Sequence, residues 1–351
     1  MQTDELYKSR YWTENRRVLA AFSDPAGAKV VLAFLNSEAC CATAITVISD
    51  RDYNFYGDFG SMVQQAGSRS SSEWLQAADV LITGTSYPPR LELDLIEAAS
   101  EIGMPSISFV DHWTNLAARF ERKGQRIMPD VVCVGDRRAH DLAAAEGISE
   151  ERLLISGNPY HRYLQSWQPS LTRKDVLGLL GLDSYRAYLL YVPEPLSTFG
   201  LRSKYGFDEV DGLSLLLRAM EMLDQHEICL VVKGHPNQDH ELLEAILAKS
   251  TFSHTVYLRE MDIKVLLYYA HVVAGHFSNA LIEANLFSKR IIRVIPDSEA
   301  EYADPLEFSV ESNVFTAKDS NEIAKVISSN FKLEYENTDC GDPKLKNEKS
   351  S

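Results

Sequence analysis

From Arg17 onward, short apolar runs rich in β-branched residues alternate with longer stretches in which apolar residues recur at helical spacing. This is the pattern of parallel strands joined by crossover helices. The first half predicts strands at Val18–Phe22, Ala44–Ser49, Val80–Thr83, Ser106–Val110, Val131–Val134 and Leu153–Ile155, with helices at Ala28–Leu35, Leu91–Ile102 and Arg138–Glu146. Between Asp50 and Ser72 the pattern loosens into Gly, Ser and aromatic residues, read as an acceptor-side loop or a loosely packed crossover. The turn-forming Ser156-Gly157-Asn158-Pro159 opens a polar stretch to Ser170 that reads as an interdomain linker. Alternation then resumes with a helix from about Thr172 and strands at Tyr188–Val192, Ile228–Val232, Thr255–Leu258, Val272–Ala274 and Arg290–Ile295. The intervening helices are Gly212–Leu223, Glu241–Lys249, Ile263–Ala270 and Ala280–Phe287, and a last one lies near Glu322–Asn330.

With 351 residues, 45% of them hydrophobic, the chain can build two cores. The expected fold class is α/β, two Rossmann-like doubly wound domains facing each other across a cleft. Residues 1–160 form the first domain, 161–333 the second, and 334–351 a polar, Lys-rich tail with little to bury, expected to be disordered. A net charge of -15, from 50 acidic and 35 basic residues, argues against a nucleic-acid partner, which needs clustered Lys and Arg. Met1 to Arg17 is polar, and no stretch is apolar enough to span a bilayer, so a cytoplasmic protein is expected, with peripheral membrane contact left open. The five cysteines show neither disulfide nor metal-ligand spacing, and Cys133 and Cys229 fall in strand-like runs as core residues.

In open parallel sheets, ligands bind beyond the carboxyl ends of the strands. Three turns of the second domain lie there. Lys233-Gly234-His235-Pro236-Asn237 follows one strand and presents a His placed to hydrogen-bond a phosphate. Gly275-His276-Phe277-Ser278-Asn279 follows another: Gly275 permits close backbone approach, Ser278 or Asn279 caps the next helix, and Glu283 lies one turn in, suited to ribose hydroxyls. The third turn carries Glu194. Their plain alternatives are an exposed turn for His235, an ordinary N-cap for Ser278 and a solvated helical residue for Glu283.

These turns resemble those of the GT-B glycosyltransferases. The His235-Pro236 loop followed by the Ser278 loop is similar to the His-Pro and Ser/Thr motifs of bacterial sialyltransferase-like, Kdo-transferase-like and CDP-glycerol-transferase-like enzymes, with Ser278-Asn279 standing where Ser-Ser or Ser-Thr is usual. The resemblance implies a transferase moving a sugar from a CMP-, CDP- or UDP-linked donor to a glycan or glycolipid acceptor in bacterial surface polysaccharide or glycoconjugate synthesis. It further implies inversion without a metal or cofactor, with Glu194, Lys233, His235, Pro236, Gly275, His276, Ser278, Asn279 and Glu283 on the donor side.

The first domain then supplies the acceptor side and the base. Asp24 stands after the first strand with small residues, Gly27 among them, behind it; its alternative role is to cap the helix. Asp111-His112-Trp113 offers a base, its partner and a flat surface for a sugar, with Arg119 nearby for an anionic group. Trp113 could equally plug the domain and Arg119 pair with a surface acid. Asp50-Arg51-Asp52 has the bare Asp-x-Asp form but reads as a solvated turn. Two rival functions share the architecture: a non-hydrolysing UDP-sugar 2-epimerase, and a two-lobed binding protein without catalysis.

Overall fold

The computed structural model describes residues 10–60, 62–67, 69–182, 187–223, 228–302, 304, 306, 308 and 313–335. The chain divides into two compact units, Met1–Trp167 and Gln168–Ser351.

The first unit holds seven parallel strands: β1 (Arg17–Phe22), β2 (Ala44–Ser49), β3 (Val63–Gln65), β4 (Val80–Thr83), β5 (Ser106–Phe109), β8 (Val131–Val134) and β9 (Leu153–Ile155). A small antiparallel hairpin, β6 (Glu121–Arg122) and β7 (Gln125–Arg126), lies between β5 and β8 in the chain. The sheet order is β3-β2-β1-β4-β5-β8-β9, so the winding reverses between β1 and β4. The central strands are buried on both faces: every residue of β1 after Arg17 is buried, as is all of β4 and of β5, the last carrying Ser106 and Ser108 inside. The segment expected to be a linker instead forms the helix Pro159–Ser166, started by Asn158, whose side chain accepts from the N–H of Tyr160 and His161, with Pro159 at the first helical position. It belongs to the first unit and packs on the helix Pro25–Leu35.

The second unit repeats the plan with β10 (Ala187–Tyr191), β11 (Ile228–Lys233), β12 (Thr255–Leu258), β13 (Val272–Gly275), β14 (Arg290–Val294) and β15 (Val314–Ala317). All are parallel, in the order β12-β11-β10-β13-β14-β15, reversing between β10 and β13. Leu189, Tyr191, Leu216, Leu230, Val232 and Ile292 anchor its core. Cys133 and Cys229 are buried in the two sheets, and burial pushes both thiols up to about 12. The last helix, Ser320–Tyr335, includes the first two residues of the expected tail, and the rest of that tail, with Cys340, lies outside the described residues. Among the described residues no helix is long and apolar enough to cross a membrane.

Candidate functional site

In open parallel sheets ligands bind at the strand-end turns where the winding reverses, so those turns are the candidate positions in each sheet. In the first unit β1 ends in the core at Phe22 and the chain turns at Ser23 and Asp24. Ser23 donates its N–H and Oγ to Glu92 Oε1 and Oε2 at 2.8 and 2.9 Å, and Ser86 Oγ donates to Glu92 Oε2 at 3.0 Å. Glu92 thereby ties the turn after β1 to the turn after β4. It is 3% exposed, and burial pushes its carboxyl pKa up against the pull of these hydrogen bonds.

Asp24 precedes the helix Pro25–Leu35 but makes no side-chain cap; its Oδ2 accepts the Tyr87 N–H of the turn after β4 at 3.1 Å. Burial raises its pKa and the Asp111 charge adds to the rise, while the Tyr87 N–H, Arg119 and Arg90 oppose it. Asp24, Asp111 and Arg119 thus share one electrostatic neighbourhood. Gly27 has a packing role: a Cβ there would stand 3.0 Å from Thr85 N and O, and one on Gly84 would stand 2.9 Å from Gly27 backbone atoms. The two turns meet main chain to main chain.

Asp111 and Arg119 form a buried ion pair at 3.0 Å, with side chains only 8% and 9% exposed respectively. Arg119 also donates to Thr85 Oγ1 at 3.1 Å and to Thr114 O at 3.4 Å. Its partner is therefore the neighbouring site carboxylate. His112 shares a hydrogen bond between Nδ1 and Thr114 Oγ1 at 3.0 Å, and burial lowers its pKa, outweighing the upward pull of Asp111. Trp113 turns toward Asp136, donating Nε1–H to both carboxylate oxygens at 2.8 and 3.0 Å, and packs against the core. Asp136 in turn caps the helix Arg137–Ala145.

The loose stretch after β2 folds into an aromatic flank beside Asp24. Tyr53 donates its hydroxyl to Ser23 O at 2.7 Å, and its ring stacks on Phe55 with centroids 5.3 Å apart. Burial, helped by Asp24, pushes the Tyr53 pKa up to about 12. Lys29 Nζ sits over Phe55 and Tyr160 at 5.8 and 5.0 Å. His161, on the helix after β9, is lowered to about 4 by burial despite the charges of Asp136 and Asp111.

The second unit has its own brace. Glu209, fully buried at the start of the helix Glu209–Leu223, accepts from Ser197 N–H at 3.0 Å, from Ser197 Oγ and from Gln238 Nε2 at 2.7 Å. This joins the turn after β10 to the turn after β11. His235 lies in the latter with an exposed face, followed by exposed Pro236 and Asn237. Its Nδ1 accepts the Asn237 N–H at 3.1 Å, so the neutral ring carries its proton on Nε2, free to donate. Surrounding atoms desolvate the ring and, with Lys233 and His240, lower its pKa to about 4. Lys233 donates to Gly234 O at 2.9 Å and Arg259 O at 3.0 Å, clamping the ends of β11 and β12.

Around the turn after β13, the Glu194 carboxylate accepts the Phe277 N–H at 2.5 Å and also bonds the His276 N–H. Its Oε2 is sealed from solvent and, among the described residues, has no hydrogen-bond partner. Gly275 allows the close approach, since a Cβ there would stand 3.0 Å from Val192 O. The His276 ring is wholly buried: Nδ1 bonds Val294 O, and Nε2 lies 3.3 Å from the Tyr191 hydroxyl. Its side chain holds the turn from inside, and burial lowers its pKa. Ser278 caps the helix Asn279–Leu286 by accepting from Ala280 N–H at 3.2 Å, with Asn279 as the first helical residue and Glu283 buried one turn further. Buried Arg293 donates to Asp304 at 2.5 and 2.9 Å and to His276 O at 3.3 Å.

The turns that sequence reasoning selected are therefore brought together within each unit, although His276, Lys233, Gly27 and Trp113 spend their contacts on the scaffold. The strand-end rule does not mark Glu92, Glu209, Gln238, Tyr53 or His161, which the structure adds to these turns. Asn158-Pro159 was a helix-start signal that could have found the helix carrying His161.

No protein-family model matches the sequence, and no curated protein matches it. Among solved structures, the chain is similar to Anabaena HepE in complex with UDP-glucose, at 15% identity and a TM-score of 0.62, covering 92% of this chain and 91% of that one. It is also similar to the UDP-GlcNAc 2-epimerase of Neisseria meningitidis bound to UDP-GlcNAc, at 12% identity and a TM-score of 0.55, covering 91% and 92%. The Methanocaldococcus jannaschii UDP-GlcNAc 2-epimerase matches at 10% identity and a TM-score of 0.57, covering 89% and 92%. At these identities the likeness is one of fold, and it agrees with the two sheet orders: the chain folds as two Rossmann-like domains of the GT-B type.

Proposed function

We propose that the chain is an enzyme acting on a nucleotide-activated sugar, with UDP the favoured nucleotide, and that it transfers the sugar to a hydroxyl acceptor. The observation that carries this reading is the repeated arrangement of turns: each Rossmann-like unit gathers polar strand-end turns at its own point of reversal, in a fold whose solved members include complexes with UDP-glucose and UDP-GlcNAc.

In this reading the nucleotide lies on the second domain. The Nε2–H of His235 and the N-terminus of the helix Asn279–Leu286 face the diphosphate, and Glu283 accepts from the ribose. The first domain holds the acceptor beside Asp24. The raised pKa of Asp24 makes it a stronger base than an ordinary carboxylate, whereas Asp111 is engaged by Arg119. Asp24 takes the acceptor hydroxyl proton as its oxygen attacks the anomeric carbon, and the sugar–phosphate bond breaks to release the nucleotide. The stacked Tyr53 and Phe55 rings offer an apolar flank to a sugar acceptor.

A UDP-sugar 2-epimerase is the second reading, favoured by the activity named for two of the fold relatives. Incubation with UDP-GlcNAc and UDP-glucose separates the readings. Release of UDP only when a glycan acceptor is added supports transfer; conversion of UDP-GlcNAc to its 2-epimer without acceptor supports the second reading. Before either, thermal denaturation against CMP, CDP, UDP and GDP should show a selective stabilisation by UDP that His235→Ala removes. No stabilisation by any nucleotide, with no turnover, would defeat both.

A further inference from the structure

We infer that Glu194 takes up a proton when an anionic nucleotide binds the second domain, so that nucleotide affinity is set by the ionisation of a carboxylate with one oxygen sealed from solvent. The inference rests on the reading of the second domain as the nucleotide-binding one.

The geometry is that of a carboxylate lodged in the turn where an incoming anion is expected. Glu194 follows β10 and reaches across the point of reversal to the turn after β13, where one of its oxygens holds the Phe277 N–H at 2.5 Å and its carboxylate also bonds the His276 N–H. These amides immediately precede Ser278, which starts the helix Asn279–Leu286. The opposite oxygen, Oε2, is cut off from water and without a hydrogen-bond partner among the described residues. A carboxylate so placed has half of its charge unsolvated, and the oxygen without a partner is where a proton is best accommodated.

The groups facing Glu194 do not supply a competing proton site. From β14, Arg293 lends positive charge but is itself paired with Asp304. From the turn after β13, the His276 ring is fully buried with both nitrogens engaged. At the end of β10, the Tyr191 hydroxyl donates to Glu209 O at 3.0 Å, and burial raises its pKa well above the ordinary tyrosine range. Burial, opposed by the Phe277 and His276 amides and by Arg293, raises Glu194 to about 7, so a modest added negative potential converts it to the acid at neutral pH. A diphosphate at the start of the helix supplies that potential, and the proton comes from solvent.

The test uses UDP-glucose, whose diphosphate is esterified at both ends and does not itself titrate near neutral pH. Titration calorimetry of the full chain at pH 7.5, in two buffers of different ionisation enthalpy, should show uptake of a substantial fraction of one proton per ligand. That uptake should fall toward zero at pH 5.5, where Glu194 is already protonated, and should be absent at both pH values in Glu194→Gln. For the wild-type protein alone, Kd should weaken by roughly 5- to 10-fold from pH 6 to pH 8.5. Binding without proton uptake, binding with a Kd independent of pH, or uptake undiminished in a folded Glu194→Gln would overturn the inference. Failure of UDP-glucose to bind at any pH would instead strike the nucleotide reading, and the inference with it.

Discussion

The turns at the two points of reversal are built on one device and finished differently. In both domains a buried glutamate near the start of a helix takes the N–H and hydroxyl of a single serine after the first strand: Glu92 with Ser23, and Glu209 with Ser197. Each glutamate also fastens a second turn, through Ser86 in one domain and Gln238 in the other. Beyond that brace they diverge. The first domain leaves Asp24 partly desolvated beside the Asp111–Arg119 pair and an aromatic flank, an arrangement suited to moving a proton. The second offers a neutral imidazole donor and a helix start, an arrangement suited to holding an anion, and sets Glu194 against the His276 and Phe277 amides beside it. The shared brace fixes where the turns stand, and the residues placed on it decide what they do.

The sharpest division of this kind is kinetic. Asp24→Asn should lower kcat by roughly 100- to 10,000-fold, the usual worth of a general base, with little change in nucleotide affinity. His235→Ala should mainly weaken nucleotide binding. Equal loss of kcat in both variants would erase the contrast. Next in size, Glu92→Ala and Glu209→Ala should each destabilise their own domain by about 3 to 4 kcal/mol, because several buried donors lose their acceptor. Glu92→Gln and Glu209→Gln should cost under about 1 kcal/mol, since hydroxyls and the Gln238 amide can reorient. Hydrogen exchange that resolves the two domains would show whether each loss stays local.

A third effect belongs to the second domain alone. The Glu194 carboxyl rises from 4.5 to about 7 on folding, so its contribution is fully present below pH 4.5 and is lost as pH climbs through 7. Wild-type stability should fall by about 3 kcal/mol across that window, and Glu194→Gln should flatten the curve in denaturant titrations between pH 5 and 8. Smaller than this is Gly212→Ala, whose Cβ would stand 2.5 Å from His276 Cε1 and 2.6 Å from the Tyr191 hydroxyl. After the helix-propensity gain of alanine, a net loss of about 1 to 2 kcal/mol is expected by thermal denaturation.

Much of this architecture was legible because burial writes itself into apolar runs. Val80–Thr83, Val131–Val134, Leu153–Ile155 and Thr255–Leu258 coincide with the strands. β3 and β15 escaped: both are short edge strands with mostly exposed or half-exposed residues, so nothing forces an apolar run. The turns were legible from their place after strands. The glutamates that brace them were not, because an acid at a helix start reads as a solvated residue favoured by the helix dipole, and only the fold shows that Glu92 and Glu209 point inward. The same limit applies to His276, whose polar ring proved to be part of the scaffold, and to Trp113, whose indole is held by Asp136.

The contact between Gly27 and Gly84 bears on heat tolerance. At this point the two turns touch main chain on main chain, so no side-chain rotamer stands between the glycines to loosen progressively on warming, and the Glu92 hydrogen bonds to Ser23 and Ser86 hold the same two turns beside it. The spacing of Asp24 from the Tyr87 amide is then set by a rigid stop, and the first domain should keep its working geometry up to the temperature at which it melts as a whole, losing function in a single step.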